Sequence, residues 1–146
     1  MSLFTRNHLY AGLWRRAVAF LLDQLVITSG ILVVAGMARI PVFSGYMHPD
    51  DMVALVMISV TSEWLYYAFL ESSQLRATLG KHALGLRVID TKGGVVSFAQ
   101  ATGRYFAKIL SFLPFGIGFV MIGVTKKKQG LHDMMSGCFV VREKKK

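Results

Sequence analysis

The chain has 146 residues, 53% of them hydrophobic and 17% charged, with 17 Lys and Arg against 8 Asp and Glu for a formal net charge of +9. Mean hydropathy is +0.48. That length leaves room for one domain, and a charged share below the roughly 25% of soluble domains points to a small integral membrane protein. The charge does not indicate nucleic acid. The basic residues (Arg6, Arg15, Arg16; Lys126, Lys127, Lys128; Arg142, Lys144, Lys145, Lys146) flank apolar runs and are not interleaved with stacking aromatics. They suit the cytoplasmic flanks of membrane spans, held against anionic lipid headgroups. Cys138 is the one cysteine, which excludes an intrachain disulfide and a cysteine metal site.

The first predicted element is a membrane span over about residues 14–38. A basic start, an apolar run and the small residues Gly36 and Ala38 are also features of a cleavable signal, and Arg15-Arg16 of a twin-arginine signal. The run is too long for a signal core, however, and Asp23 and Gln24 interrupt it. Arg39, Pro41 and residues 44–51 then read as a loop. A second span covers about 52–70, carries Glu63 and closes with Trp64, Tyr66 and Tyr67 near Glu71. Each span has close to the ~20 residues that a bilayer requires.

Residues 72–96 are mixed in character and punctuated by Gly80, Gly85, Gly93 and Gly94. Leu79, Ala83 and Leu86 have helical spacing beside Lys81, His82 and Arg87, which predicts a short interfacial helix. "LRVID" followed by "TKGG" reads as a strand and turn, and the β-branched "CFVVRE" near the C-terminus is its pairing partner. Ser97 and Gln100 form a capping box that opens a helix to about Phe112, carrying Arg104 and Lys108. Residues 113–116 are a break, and a second apolar stretch follows over 117–124.

Charge placement sets the expected topology. The N-terminus is basic, the loop after the first span is acidic, the 72–96 segment is basic (Arg76, Lys81, Arg87, Lys92), and the C-terminal region holds seven Lys and Arg. The positive-inside rule then puts both termini in the cytoplasm, so residues 97–125 must go in and return as a hairpin turning at Pro114-Phe115-Gly116. Its short second leg suggests a re-entrant element enclosed by protein. The predicted fold class is an all-α, polytopic bundle of two full transmembrane helices plus a helical hairpin, with a small cytoplasmic β-pairing cap.

A carboxylate inside a membrane-length helix is costly unless partnered, so each such residue is a functional candidate. Arg16, Asp23 and Gly30 share one stripe of the first helix. Counted at 1.5 Å per residue, Asp23 lies about 10 Å beyond Arg16, Glu63 roughly 12 Å in from Glu71, and Arg104 roughly 10 Å in from Ser97. Asp23, Glu63 and Arg104 are thus expected at similar depth, with Lys108 one turn deeper. Asp23 either pairs with Arg104 or Lys108 to hold helices together, or belongs to a protonatable carboxylate cluster in a wet cavity, or faces a partner chain. Glu63 either snorkels or faces another copy. Asp133, next to His132, anchors a turn by accepting from backbone N–H groups or from Arg16. His8, His48 and His82 are too scattered to complete a metal site with His132. No G-x-S-x-G, Walker loop or HExxH occurs, so nothing supports an enzyme or a cofactor.

The segments "AGLWRRAVAFLLDQLV", "ATLGKHALGLRVIDTKGG", "SFAQATGRYF" and "QGLHDMMSGCFVV" together resemble the RDD family of small bacterial membrane proteins. The matching positions are Arg16, Asp23 and Asp133, the arginine and two aspartates for which the family is named. Thr78-Leu-Gly80-Lys81, Gly85-Leu-Arg87-Val, Arg104 and the closing valines also match. Glu63 lies outside the family's pattern, and Cys138 stands where relatives more often carry Thr. The resemblance implies transport of an unidentified ligand, with ion antiport for some members.

The expected function is therefore a small transporter exchanging a cation for a proton, with Asp23 titrating, Arg16 and Arg104 setting its behaviour and Asp133 closing the cytoplasmic entrance. Four short helices hardly enclose a pathway alone, so a homo-oligomer is expected. The alternative is a scaffold or accessory protein whose charges lock the bundle and whose basic cap binds anionic lipid or a partner protein.

Overall fold

The computed structural model describes residues 9–112 and 117–142. Leu13–Met37 forms α1 and Pro49–Ser72 forms α2, 25 and 24 residues long. At 1.5 Å per residue each exceeds the ~30 Å of a bilayer core. Only 17% and 11% of their most apolar stretches are covered by the rest of the chain, so they are not core helices of a soluble protein. On α1 the buried residues Arg16, Ala19, Asp23 and Ile27 recur every three or four positions and make one inward stripe. The remaining faces expose residues such as Leu21, Leu25 and Val33. Water penalises such a surface and lipid does not.

α2 begins earlier than hydropathy indicates. Residues 49–51, expected in the loop, are its first turn: Pro49 needs no amide partner there, Asp50 and Asp51 sit at the positive end of the helix dipole, and the His48 ring accepts from the Asp50 amide at 3.3 Å. After α2 the chain turns back through α3 (Leu79–Ala83) into strand β2 (Leu86–Asp90). Leu86, grouped with the helical spacing above, is instead the first strand residue, because the left-handed Gly85 (φ 63°) ends the helical turn.

β2 pairs antiparallel with β3 (Cys138–Arg142), Leu86 opposite Arg142 and Asp90 opposite Cys138, and β3 pairs in turn with a two-residue strand β1 (Leu9–Tyr10). The resulting sheet is three-stranded, in the order β1-β3-β2. Leu86, Val88, Cys138 and Val140 on its inner face pack on Ala19, Ala68 and Ala101, one small residue from each of three helices. Those alanines let the sheet close over one end of the bundle. Ile89, Phe139 and Val141 face the other way and are covered by Tyr10.

The capping box at Ser97 is formed in both directions, Gln100 N–H to Ser97 Oγ at 3.1 Å and Ser97 N–H to Gln100 Oε1 at 3.0 Å, and starts α4 (Phe98–Phe112). α5 (Ile117–Val124) packs back on α4 and touches α1. The turn expected at Pro114-Phe115-Gly116 lies outside the described residues. A five-residue helix α6 (Leu131–Met135) then leads into β3, so Asp133, placed by the resemblance after the last helix, is on a short helix of its own.

Candidate functional site

Asp23, fully buried, does not meet Arg104 or Lys108. Its carboxylate accepts from Thr78 Oγ1 at 2.6 Å, the Gly80 amide at 2.7 Å and Tyr66 Oη at 2.7 Å. This arrangement depends on Gly80. A Cβ built there would lie 2.2 Å from the Ala19 carbonyl oxygen and 2.9 Å from Asp23 Oδ1, so only glycine lets the start of α3 press this closely on α1. Thr78 also caps α3, and Tyr66 accepts from the Leu79 amide while donating to Asp23. Asp23 is thus a latch between α1 and the α2–α3 connection, with three neutral donors around it.

The cations use a different pair of carboxylates. Arg16 binds Asp133, and its remaining nitrogens reach the carbonyls of Ala11 at 3.1 Å and Lys128 at 2.6 Å. Arg104 holds Asp133 on one side, at 2.8 and 2.9 Å, and Glu71 on the other, at 3.0 Å. Lys81 completes the row on Glu71. The order Arg16–Asp133–Arg104–Glu71–Lys81 alternates in sign and joins α1, α6, α4, α2 and α3. Every member is buried. Removing one partner from such a buried set costs about 3–5 kcal/mol, because the other charge is left uncompensated. Asp133 also takes the Gly130 amide at 3.2 Å, so it serves both Arg16 and its own turn. Burial pushes its carboxyl up, but Arg104 and Arg16 outweigh that and hold it well below the usual carboxylate range. The adjacent His132 is pushed down to about 3 by burial, which Asp133 opposes without offsetting and to which Arg104, Lys108 and Arg16 add, so it is neutral at pH 7. Its Nδ1 lies 3.3 Å from Ser111 Oγ.

Beyond this row, away from the sheet, a cavity of about 360 Å³ opens between α1, α2, α4 and α5, with Asp23, Glu63, Tyr67 and Lys108 on its wall. Apart from Asp23, these groups are held loosely. Glu63, half-buried, accepts from Gln24 Nε2 at 2.9 Å and, at 3.4 Å, from Tyr105 Oη. Lys108 places its ammonium 3.6 Å from the centre of the Tyr67 ring. A cation on an aromatic face gains about 0.5–2 kcal/mol, less than a full ion pair inside a protein. The Tyr67 hydroxyl is buried with no hydrogen-bond partner among the described residues, an omission that costs about 1–3 kcal/mol.

The six residues singled out in the sequence therefore separate. Arg16, Arg104 and Asp133 meet in one row; Asp23, Glu63 and Lys108 make three separate sets of contacts around the cavity. Asp23 and Glu63 line the same cavity but have different hydrogen-bond partners: helix rise fixes depth, and neighbouring side chains still turn to different groups. Sequence reasoning missed Glu71, Lys81, Thr78 and Tyr66. Thr78-Leu-Gly80-Lys81 was the available signal, a hydroxyl, a Cβ-free amide and a cation at the spacing that serves two carboxylates. Among the described residues, no three His, Cys, Asp or Glu are grouped to hold a metal ion.

The comparisons with known proteins give the family. The RDD family profile matches residues 10–137, which takes in every residue of the ion row and the latch. The chain is 35% identical to the uncharacterized protein YxaI of Bacillus subtilis (strain 168), covering 90% of this chain and 96% of that protein. It is also 35% identical to the uncharacterized membrane protein YteJ of the same organism, over 94% and 84% of the two chains. A third relative there, the uncharacterized protein YckC, is 27% identical over 89% of this chain and 83% of its own length. No solved structure matches. With two helices long and apolar enough to cross a bilayer and relatives that extend along almost its whole length, this membrane protein belongs to the RDD family.

Proposed function

We propose that the protein is a small multi-pass transporter of the bacterial cytoplasmic membrane that exchanges a small cation for a proton at Glu63. The observation that carries this reading is the state of Glu63: on a membrane-length helix, at the wall of a cavity of about 360 Å³, held by an amide and a distant hydroxyl and by no cation among the described residues. Such a carboxylate can trade a proton for a cation without dismantling the fold. Asp23, the residue first expected to titrate, has three donors on its oxygens and would have to release α3 to do so. Because Glu63 lies outside the family's pattern, exchange there is a property of this chain and not of all its relatives.

The topology in this reading follows the positive-inside rule, with both termini and the sheet on the cytoplasmic side against anionic headgroups, and the α4–α5 hairpin dipping in from that side. α4 and α5, of 15 and 8 residues, are too short to cross by themselves, so a homo-oligomer completes the pathway. The test is internal pH in proteoliposomes after a Na⁺ or K⁺ step. The parent and a folded Asp23→Asn variant are expected to move protons, and Glu63→Gln is expected to stop.

One observation favours a second reading, a non-transporting scaffold: the buried ion row is saturated and ties five elements together. Absence of cation-dependent proton movement in the parent, with Glu63→Gln indistinguishable from it, decides for the scaffold.

A further inference from the structure

Among the described residues, the ionised side chains on the cavity wall are Arg16, Asp23, Glu63, Lys81, Arg104 and Lys108. Most of them are committed. Arg16, Lys81 and Arg104 are paired with Asp133 and Glu71 in the row, and Asp23 accepts from Thr78, Gly80 and Tyr66. Glu63 and Lys108 remain, one of each sign, and neither has an ion-pair partner among the described residues. Glu63 accepts two hydrogen bonds, at 2.9 and 3.4 Å, of the roughly four that a carboxylate has room for. Lys108 rests on the Tyr67 ring and has no hydrogen-bond acceptor among the described residues. Both side chains are only partly buried and both line the cavity.

Tyr105 ties the two groups to one place. Its hydroxyl is 3.4 Å from Glu63 and its ring centre is 6.0 Å from the Lys108 ammonium, so one small molecule reaches both. A free anion drawn to Lys108 meets the Glu63 charge, and a free cation drawn to Glu63 meets that of Lys108. A molecule that bears both signs is attracted at each end and adds no net charge to a wall whose other charges are already matched. The rest of the lining, with Ala17, Phe20, Ile109 and Ile122, is apolar and suits a hydrocarbon body beside the two charges. At about 360 Å³ the space falls within the ~300–1,000 Å³ of small-molecule sites.

We infer that the cavity binds a small organic zwitterion, a primary amine and a carboxylate on an apolar frame, with the ammonium on Glu63 and the carboxylate on Lys108. The amine is primary because a Glu63 oxygen accepts from an N–H, which a quaternary ammonium lacks. The inference rests on the exchange reading in one respect, that Glu63 is the open carboxylate, and it names an organic ammonium as a cation that Glu63 takes.

Binding is measured by titration calorimetry on the purified full-length chain in a nonionic detergent. The probes are leucine and δ-aminovalerate, which carry both charges at short and long spacing; isocaproate, which lacks the amine; isoamylamine, which lacks the carboxylate; and betaine, whose amine is quaternary. Leucine, δ-aminovalerate or both are expected to bind about tenfold or more tighter than the other three, because each half-molecule leaves one wall charge unanswered. Which of the two binds gives the spacing of the charges. Glu63→Gln is expected to remove the advantage of the zwitterion over isocaproate, and Lys108→Met its advantage over isoamylamine, while Lys108→Arg retains binding. Glu63→Gln alters a loosely held group, so it carries the test alone should Lys108→Met fail to fold. Failure of both zwitterions to bind, equal affinity for leucine and its half-molecules, betaine binding as tightly as leucine, or an undiminished preference for the zwitterion in Glu63→Gln would overturn the site. No proton movement is read, so a negative titration leaves exchange of Na⁺ or K⁺ standing, and a failed flux assay leaves a zwitterion site that Glu63→Gln abolishes.

Discussion

The polar groups of this protein divide into two layers that follow different rules. Nearest the sheet, Arg16, Asp133, Arg104, Glu71 and Lys81 form a closed row in which each carboxylate bridges two cations, and beside it Asp23 is saturated by Thr78, Gly80 and Tyr66. One step farther from the sheet, Glu63, Tyr67 and Lys108 are incompletely partnered around a cavity. The same residue types occur in both layers. What differs is the number of partners, and that separates groups holding the fold from groups free to act on something else. In this chain the residues that give the family its name, Arg16, Asp23 and Asp133, all fall in the holding layer.

The sharpest way to break this contrast is to cut the row at its centre. Arg104→Leu splits the row, leaving Asp133 with Arg16 alone and Glu71 with Lys81 alone, and is expected to cost about 3 kcal/mol, read as loss of the folded species or a large fall in melting temperature in detergent. Next is Gly80→Ala, whose methyl meets the Ala19 carbonyl; about 3 kcal/mol is expected, with α3 forced off α1. The two membrane-embedded carboxylates then separate the layers directly. Asp23→Asn turns one acceptor into a donor facing other donors and is expected to destabilise by about 2 kcal/mol, whereas Glu63→Gln, loosely held, should cost under about 1 kcal/mol. Equal effects in chemical denaturation would erase the distinction between latch and cavity carboxylate.

A pH scan sharpens the holding layer further. The unfolded chain protonates His132 near pH 6.5, but the folded protein does so only near pH 3, so acid favours unfolding. The His132 contribution should be constant above about pH 6.5 and fall toward pH 3, by up to about 1.4 kcal/mol per pH unit. His132→Gln should flatten that slope between pH 6.5 and 5. The smallest effect is expected at Lys128, whose carbonyl serves Arg16 from a left-handed backbone at φ 48°. Lys128→Gly should stabilise by up to about 1 kcal/mol, seen as a small rise in melting temperature.

Much of the scaffold was legible in the residues. Two apolar runs of bilayer length, the Ser97–Gln100 box, and "LRVID" with "CFVVR" each carry a local pattern, and each becomes the element that pattern predicts. Asp133 was legible as an anchor because an aspartate after Gly130 in a short turn has few other roles, and it takes both partners considered for it, Arg16 and a backbone amide. The partner of Asp23 was not legible. Rise along a helix gives depth, but not the rotation of its neighbours, nor the return of residues 73–80 to lie against α1. Glu71 was hidden for a related reason: at the end of an apolar run a glutamate reads as a boundary marker, and only the fold brings Lys81 and Arg104 to it. The cavity was not legible at all, since it is defined by what the surrounding helices leave unfilled.

The ion row also sets a schedule for synthesis. Arg16 and Asp133 are 117 residues apart, so the arginine at the start of the first long helix leaves the ribosome well before its carboxylate exists. Arg104 is made before Asp133 as well, and until then has Glu71 alone. A nascent chain halted short of Gly130 carries two embedded guanidinium groups with a single acidic partner and no third strand to close the sheet. A truncated product therefore differs from the finished chain in its electrostatics, and not only in its length.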